Sequence, residues 1–149
     1  MRGEQDPGRQ VLRAAQGWIG TPYQHQASCK GAGADCLGLI RGIWRELVGP
    51  EPGPVRPYTA DWAEACGRED LWQAAAVWLR PKGLADGAIG DVLLFRIRES
   101  GLAKHLGVQS QIGAAPRFIH AYAGHRVCET ALSLPWARRL AARFSFPPL

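Results

Sequence analysis

Apolar residues recur at helical spacing over the first twenty positions of the chain. Asp6 followed by Pro7 is a typical helix start, because an acidic cap residue and a proline in the first turn both suit a helix N-terminus. The pattern predicts an amphipathic helix that ends at Gly20, followed by a Thr-Pro turn that carries Tyr23 beyond the helix end. The buried face of this helix is predicted to carry Val11, Leu12, Ala15, Trp18 and Ile19.

A second helical pattern follows a loop of small and polar residues. Asp35 is a candidate N-cap, and the apolar series that follows it is Cys36, Leu39, Ile40, Ile43, Trp44 and Leu47. Gly49-Pro50 is predicted to end this helix. Cys36 is therefore expected in the first turn of a buried helix.

The remaining pattern changes from helices to strands. The proline-rich segment 51–57 is predicted to be a stiff surface connection, and residues 59–80 to form one or two short helices. These helices would carry Trp62, Leu71, Trp72, Ala75, Trp78 and Leu79. From Gly90 onward the chain is typical of strands separated by Gly, Pro or Ser turns, at Val92–Phe95, His105–Ile112, Arg117–Tyr122, Arg126–Leu132 and Ala141–Phe146. Helices first and strands later predict an α+β fold with a mostly antiparallel sheet.

Length and charge limit the classes of protein that the chain could belong to. With 149 residues, of which 46% are hydrophobic, it is predicted to form a single domain over 1–149. The net charge of +5 favours anionic partners, and part of the excess lies at Arg138, Arg139 and Arg143, although each of these could simply belong to a solvated basic face. No RNA-binding aromatic motif, zinc finger or helix-turn-helix accompanies the charge, so nucleic-acid binding is not expected.

Export and cysteine chemistry are judged from the same sequence. The first ten residues have no apolar core of signal-peptide length, and no stretch approaches the roughly 20 apolar residues of a membrane span. We therefore expect synthesis in the cytoplasm without classical export, and no membrane insertion. Irregular spacing favours reduced thiols and argues against a metal site for the four cysteines, Cys29, Cys36, Cys66 and Cys128.

The place of Cys36 is open to two interpretations. A helix N-terminus offers backbone N–H groups and a partial positive charge that favour the thiolate, the form that performs acyl transfer. The backbone N–H of Cys36 could also donate to the oxyanion of a tetrahedral intermediate. The alternative is a small buried hydrophobe, which is the commonest fate of an unpaired cysteine.

Motifs spread over the chain distinguish these interpretations. GWIGTPYQHQ followed by GAGADCLGLIRGIW resembles the N-terminal half of the NlpC-type cell-wall peptidases. The other half resembles them too, with Ile89-Gly90-Asp91 opening a strand, His105-Leu-Gly-Val on the next, and Phe118-Ile-His120-Ala on a neighbouring one. The chain departs from the usual family pattern at Leu37, where a serine is commoner, and at Ile89, where a proline is commoner.

The resemblance implies a papain-like fold, a set of site residues and no metal or organic cofactor. It implies Cys36 as nucleophile, His105 as general base and His120 as the group that orients His105. Tyr23 would lie beside the nucleophile and help the oxyanion or substrate carbonyl, and Asp35 would combine its cap role with a place near the substrate's amino or amide groups. Three further residues could be drawn into a rival site but lack the same context: His25, Cys29 and His125.

The implied reaction is hydrolysis of a peptidoglycan stem peptide at the bond between D-γ-glutamate and a diamino acid. Within the family, the chain is most similar to short stand-alone peptidases of phage tails and gene transfer agents. This implies tail or tail-tip partners, and an enzyme that a virion-like particle carries to the periplasmic wall. Two alternatives stay open: a structural tail-tip component with weak or vestigial activity, and an amidase or acyltransferase of the same superfamily.

Overall fold

The computed structural model of the protein describes residues 6–53, 70–98 and 101–149. The helices within these residues are α1 (Pro7–Trp18), α2 (Cys36–Leu47), α3 (Asp70–Trp78) and α4 (Leu134–Ala137). The strands are β1 (Ser28–Cys29), β2 (Gly33–Ala34), β3 (Arg80–Lys82), β4 (Val92–Arg96), β5 (Ala103–Gln111), β6 (Arg117–His120), β7 (Cys128–Ala131) and β8 (Leu140–Ser145).

The larger sheet confirms the predicted α+β architecture. In the described part of the chain, six strands follow the order β3-β8-β4-β5-β6-β7, and every neighbouring pair is antiparallel. The strands β1 and β2 form a small separate hairpin just before α2. All five predicted strands are present, and β3 is an addition that the sequence pattern did not reveal.

One face of the sheet is covered by α1 and α2. The buried helix side chains Trp18, Leu39 and Ile43 share one apolar cluster with Leu94 and Leu106 of the sheet. Full burial of one such side chain contributes about 1.5–3 kcal/mol to folding. The two helices also pack closely together, since a Cβ atom at position 42, where the chain has glycine, would collide with the ring of Trp18.

Most residues of the two predicted helix faces are buried, and the more exposed ones are Leu12, Ile19, Cys36 and Leu47. Ile19 was expected to be buried but is 45% exposed, because α1 ends at Trp18 and Ile19 has already left the helix with a ψ of 132°. Leu47, at the last position of α2, is only partly buried. Apolar residues at or beyond the end of a helix are therefore less buried than those in its middle.

The opposite face of the sheet carries a second, smaller apolar cluster. Leu93, Phe95 and Phe118 are fully buried there, and Trp136 of α4 is among the side chains that pack against them. Because alternate residues of a strand point to opposite faces, His105, which pairs with Phe95, lies on this second face.

The Gly-Asp pair that opens β4 has a clear structural reason. Gly90 has a φ of 89°, a backbone conformation that favours glycine, and its Cα approaches the backbone of Gly8 so closely that a Cβ atom would collide with it. Asp91 is buried, and its Oδ2 accepts a hydrogen bond of 2.9 Å from the backbone N–H of Ala88. The turn thus fixes the start of β4 against the start of α1.

Arg143 corrects the expectation of a basic surface at the end of the chain. Its side chain is buried, and Nη1 donates to Asp91 Oδ2 at 2.9 Å and to Gln109 Oε1 at 2.8 Å. A buried charge requires such partners, so this arginine contributes to the interior and not to an anion-binding face.

Two sequence predictions fall partly outside the described residues. The stiff connection predicted over 51–57 is described only to residue 53, and the helical region around Trp62 and Cys66 is not described before α3. Among the helices that are described, none combines the length and the apolar character needed to cross a lipid bilayer.

Candidate active site

Cys36 is the first residue of α2, as the sequence predicts. The preceding Asp35 caps the helix, because its Oδ1 accepts a hydrogen bond of 2.7 Å from the backbone N–H of Gly38. Its Oδ2 accepts a second bond of 2.7 Å from the backbone N–H of Gln26. The Asp35 carboxylate is therefore buried at the helix start and ties the loop before β1 to it.

Three backbone N–H groups interact with the sulfur of Cys36. The N–H groups of Cys36 and Leu37 come from the start of α2, and that of Leu106 comes from β5. Strand β6 pairs with β5 from Val108 onward. Leu106 lies before this pairing, in a strand that also contacts α2. Since Leu106 directly follows His105, the sulfur lies against the strand that carries the proposed base.

The thiol is not activated in the way the helix start suggests. Burial, and then the negative charge of Asp35, raise the pKa of Cys36 to about 12, although the three N–H groups act in the opposite direction. Desolvation thus outweighs the favourable helix start. Cys36 holds its proton in the resting protein.

His105 and His120 are in direct contact. His105 is the third residue of β5, His120 is the last of β6, and His105 Nε2 lies 2.8 Å from His120 Nδ1. The side chains are almost completely buried, with 4% and 3% of the two residues exposed. The contact expected between the two imidazoles is present, and it leaves Nδ1 as the nitrogen of His105 that can serve a thiol.

Both imidazoles are held neutral. Burial, and then a positive charge on His120, lower the pKa of His105 to about 3. Burial, and then a positive charge on His125, lower the pKa of His120 to about 4. His125 thus acts at a distance on the pair, and it does not replace either member.

Aromatic rings enclose the pair. The ring centroid of Trp136 lies 5.5 Å from that of His105 and 5.2 Å from that of His120. Phe118 lies 4.3 Å from His120 on one side, and Tyr122 lies 5.6 Å from His105 on another. These rings contribute to the burial that is the largest cause of the lowered pKa values.

Thr130 and Trp136 are site residues that the sequence did not reveal. The hydroxyl of Thr130, on β7, lies 2.9 Å from His120 Nε2. Strand register brings it there, since Phe118 pairs with Thr130 and His120 pairs with Cys128. The alternation of the predicted strand could place Thr130 on one face, but only the register connects it with His120. For Trp136, the Ser-Leu-Pro context indicated a turn and gave no hint of a ring over the site.

Tyr23 lies close to the start of α2. It forms an isolated parallel bridge with Ala34, the residue before Asp35, and is partly buried. Burial, then the charges of Asp35 and Cys36, raise the pKa of Tyr23. Tyr23, Asp35 and Cys36 are thus neighbours, as expected.

The rival residues His25 and Cys29 belong to the segment before α2, whereas His125 lies near enough to His120 to affect its pKa. His25 Nδ1 is 3.9 Å from Asp35 Oδ2, and the His25 side chain is 37% exposed. Cys29 is exposed on β1, whereas Cys128 is partly buried. Within residues 6–53, 70–98 and 101–149, no group of three or more His, Cys, Asp or Glu side chains is arranged to hold a metal ion.

The chain shares its fold with solved structures of the NlpC/p60 type. The NlpC/p60 domain of peptidoglycan hydrolase SagA is 19% identical with a TM-score of 0.61, and the match covers 93% of this chain and 98% of that one. An NlpC/P60 family protein from Bacillus cereus ATCC 10987 is 17% identical with a TM-score of 0.63, over 93% of this chain and 40% of that one. NlpC1 from Trichomonas vaginalis is 20% identical with a TM-score of 0.59, over 93% of this chain and 43% of that one.

These comparisons establish the fold class. The protein has the NlpC/p60 fold, and the papain-like architecture expected from the sequence is confirmed. It spans nearly the whole SagA domain but only about two fifths of the Bacillus and Trichomonas proteins. No protein-family model matches the sequence, and no curated protein matches it either.

Proposed function

We propose that the protein is a cysteine peptidase that hydrolyses amide bonds in peptidoglycan stem peptides. The observation that carries the proposal is the position of Cys36, whose sulfur interacts with the N–H groups of Cys36, Leu37 and Leu106 and lies against the strand of His105. The contact between His105 and His120 at 2.8 Å supplies the oriented base that such a nucleophile needs.

The first half of the reaction forms an acyl-enzyme. His105 Nδ1 takes the proton of the Cys36 thiol as the sulfur attacks the carbonyl carbon of the scissile amide. The carbonyl oxygen becomes an oxyanion, to which the backbone N–H of Cys36 donates. When the C–N bond breaks, the imidazolium of His105 returns the proton to the leaving amine, and a thioester remains on Cys36.

The second half regenerates the enzyme. A water molecule loses a proton to His105 and attacks the thioester carbonyl carbon. The C–S bond then breaks, the new carboxyl group leaves, and the proton on His105 returns to the sulfur. Neither a metal nor an organic cofactor takes part in this scheme.

The uncharged resting forms of Cys36 and His105 fit this reaction. With the pKa of Cys36 raised to about 12 and that of His105 lowered to about 3, separated charges are costly before substrate binds. Thiolate and imidazolium character then develop together during attack, where the N–H groups around the sulfur and the oxyanion stabilise them. Catalysis in this site depends on proton transfer during attack rather than on a standing thiolate.

The substrate bond is proposed from the sequence resemblance. It is the amide between D-γ-glutamate and a diamino acid such as meso-diaminopimelate. Tyr23 and Asp35 are proposed to border the bound peptide, with the Tyr23 hydroxyl directed to the carbonyl and Asp35 near an amino or amide group. Support comes from their position beside Cys36, and the SagA domain of the same fold is described as part of a peptidoglycan hydrolase.

Digestion of defined muropeptides tests the proposal. The wild-type protein should release fragments whose masses identify the broken bond, and Cys36→Ala should release none. Cys29→Ala is the matched control, because Cys29 is an exposed cysteine on β1, and this variant should cut as the wild type does. An active Cys36→Ala, or an inactive wild-type protein on every wall chemistry offered, would contradict the proposal.

We also propose that the protein acts as part of a virion-like particle, such as a phage tail or gene transfer agent, and reaches the periplasmic wall with it. The support is the sequence resemblance to short peptidases of such particles. Mass spectrometry of purified particles and of the soluble fraction of the producing cells should find the protein enriched in the particles. Its absence from particles that contain the other tail proteins would refute this localisation.

A further inference from the structure

Thr130 ends a chain of hydrogen bonds that begins at the proposed base. His105 Nε2 lies 2.8 Å from His120 Nδ1, and His120 Nε2 lies 2.9 Å from Thr130 Oγ1. The Thr130 hydroxyl in turn lies 3.6 Å from Cys128 Sγ. Each imidazole thus has one nitrogen committed to the other ring, and His120 has its second nitrogen committed to the hydroxyl.

A neutral imidazole carries one N–H, so the chain allows two arrangements. In the first, His105 Nε2–H donates to His120 Nδ1, and His120 Nε2–H donates to Thr130. His105 Nδ1 is then an unprotonated base. In the second, His120 Nδ1–H donates to His105 Nε2, which places the remaining proton on His105 Nδ1 and blocks it as a base.

We infer that Thr130 is a positioning residue, whose hydroxyl accepts a hydrogen bond from His120 Nε2–H and so holds His105 in the tautomer with an unprotonated Nδ1. The inference rests on the proposed function in that it takes His105 as the base. Thr130 touches neither the nucleophile nor the substrate in this scheme, and it acts through His120.

The surroundings of Thr130 favour its role as acceptor. A hydroxyl has a single proton, and here that proton can go to Cys128 Sγ or to solvent, because Thr130 is only partly buried. The oxygen lone pairs then remain for His120. Cys128 and Thr130 are two residues apart on β7 and share the face on which His120 lies, since His120 pairs with Cys128.

The burial of the pair makes the role of the hydroxyl necessary. His120 is 3% exposed, so a His120 Nε2–H without the hydroxyl would be a nearly buried donor without a partner. Removing the hydroxyl therefore favours the second arrangement, in which His120 Nε2 carries no proton. A lost hydrogen bond of typical net strength shifts such an equilibrium by roughly tenfold.

The decisive experiment is nitrogen-15 NMR of the histidine rings at neutral pH, since two-bond couplings show which nitrogen carries the proton. In the wild type, both His105 and His120 should be protonated at Nε2. In Thr130→Val, which keeps the shape but lacks the hydroxyl, the fraction of His120 protonated at Nδ1 should rise. Thr130→Ser keeps the hydroxyl and should show the wild-type pattern.

Kinetics on muropeptides give a second measure. Thr130→Val should lower kcat/KM by roughly tenfold, mostly through kcat, because the effect acts on the base and not on substrate binding. Thr130→Ser should stay within about threefold of the wild type under the same reasoning. Alkylation of Cys36 by iodoacetamide should slow in Thr130→Val in the same proportion as kcat.

The outcomes separate this inference from the proposed function. A wild-type His120 protonated at Nδ1, or a Thr130→Val variant with unchanged tautomers and rates, would overturn the role of Thr130. The wild-type spectrum gives this answer even if Thr130→Val fails to fold. A wild-type protein that shows the expected tautomers but cuts no muropeptide would refute the peptidase proposal and leave the tautomer assignment in place.

Discussion

The second face of the sheet carries two buried polar clusters, one made of paired charges and the other of neutral side chains. The ion cluster consists of Lys82, Asp91, Gln109 and Arg143, and the histidine pair consists of His105 and His120. In the ion cluster, the Asp91 carboxylate is paired with Arg143 Nη1 at 2.9 Å and with Lys82 Nζ at 2.8 Å. In the histidine pair, both side chains are neutral, and their pKa values are lowered to about 3 and about 4.

The difference lies in which charges have partners. Each buried charge of the ion cluster meets an opposite charge, so the cluster serves to anchor β3, β4 and β8. The histidine pair has aromatic rings and a hydroxyl around it, so any charge placed there is costly. The comparison teaches that the two clusters differ in counter-charge: the ion cluster contains opposite charges, and the histidine pair is buried among uncharged groups.

Among changes to the histidine pair, removal of the proposed base should lower catalytic activity the most. His105→Ala should lower kcat on muropeptides by about 10³-fold or more, within the range that general base catalysis contributes. His120→Ala should cost less, about 10-fold to 100-fold, because an unoriented imidazole still accepts a proton part of the time. Equal activity of His120→Ala and the wild type would reduce the proposed triad to a dyad.

Breaking the ion cluster should affect stability rather than chemistry. Asp91→Ala leaves Arg143, which is 6% exposed, without its carboxylate, and should lower the free energy of unfolding by about 3–5 kcal/mol. Urea unfolding at pH 7.5 measures this. Lys82→Met is the matched control, because the Lys82 side chain is 23% exposed and should cost only about 1 kcal/mol. An Asp91→Ala variant as stable as the control would show that the cluster does not anchor the sheet.

Much of this arrangement could be predicted from local sequence signals. The cap at Asp35, the place of Cys36 and the strands that carry His105 and His120 all follow from spacing and turn residues. The start of one strand differs slightly from the prediction. The sequence pattern predicts a strand that begins at His105, whereas β5 begins at Ala103.

What escaped prediction depends on contacts between distant parts of the chain. Arg143 looked like a surface charge, but it pairs with Asp91, which precedes it by 52 residues. The raised pKa of Cys36 cannot be foreseen from the helix start, which is a local signal, because burial depends on the whole fold. Strand β3 has three residues, one of them proline, and is recognisable only by its pairing with β8.

The histidine pair should also make the stability of the fold sensitive to acid. For the histidine pair, the pKa values in the folded state are about 3 and about 4, below the ordinary value of 6.5. Between pH 6.5 and these values the unfolded chain binds protons that the folded one does not, so stability is complete above pH 6.5 and is lost as the pH falls. At pH 5 the loss should be about 2 kcal/mol for each histidine.

Urea unfolding at pH 7.5 and at pH 5 measures this loss. His120→Gln removes one of the two titrating groups, and its loss between these pH values should be about half that of the wild type. Lys82→Met leaves both histidines in place, so it should show the wild-type difference. A wild-type protein equally stable at both pH values would contradict the neutral state of the pair.

The smallest predicted effect concerns the ring that keeps water from the pair. Trp136→Ala removes a ring 5.5 Å from His105 and 5.2 Å from His120, which should admit water and allow the pKa of His105 to rise toward its ordinary value. Because activity requires unprotonated His105, the acid limb of the pH profile of kcat/KM should move upward, by about one pH unit. Leu134→Ala, on the same short helix α4 but at a residue that is 67% exposed, should leave the limb where it is in the wild type. An unchanged limb in Trp136→Ala would mean that the sheet and Phe118, rather than α4, keep the pair neutral.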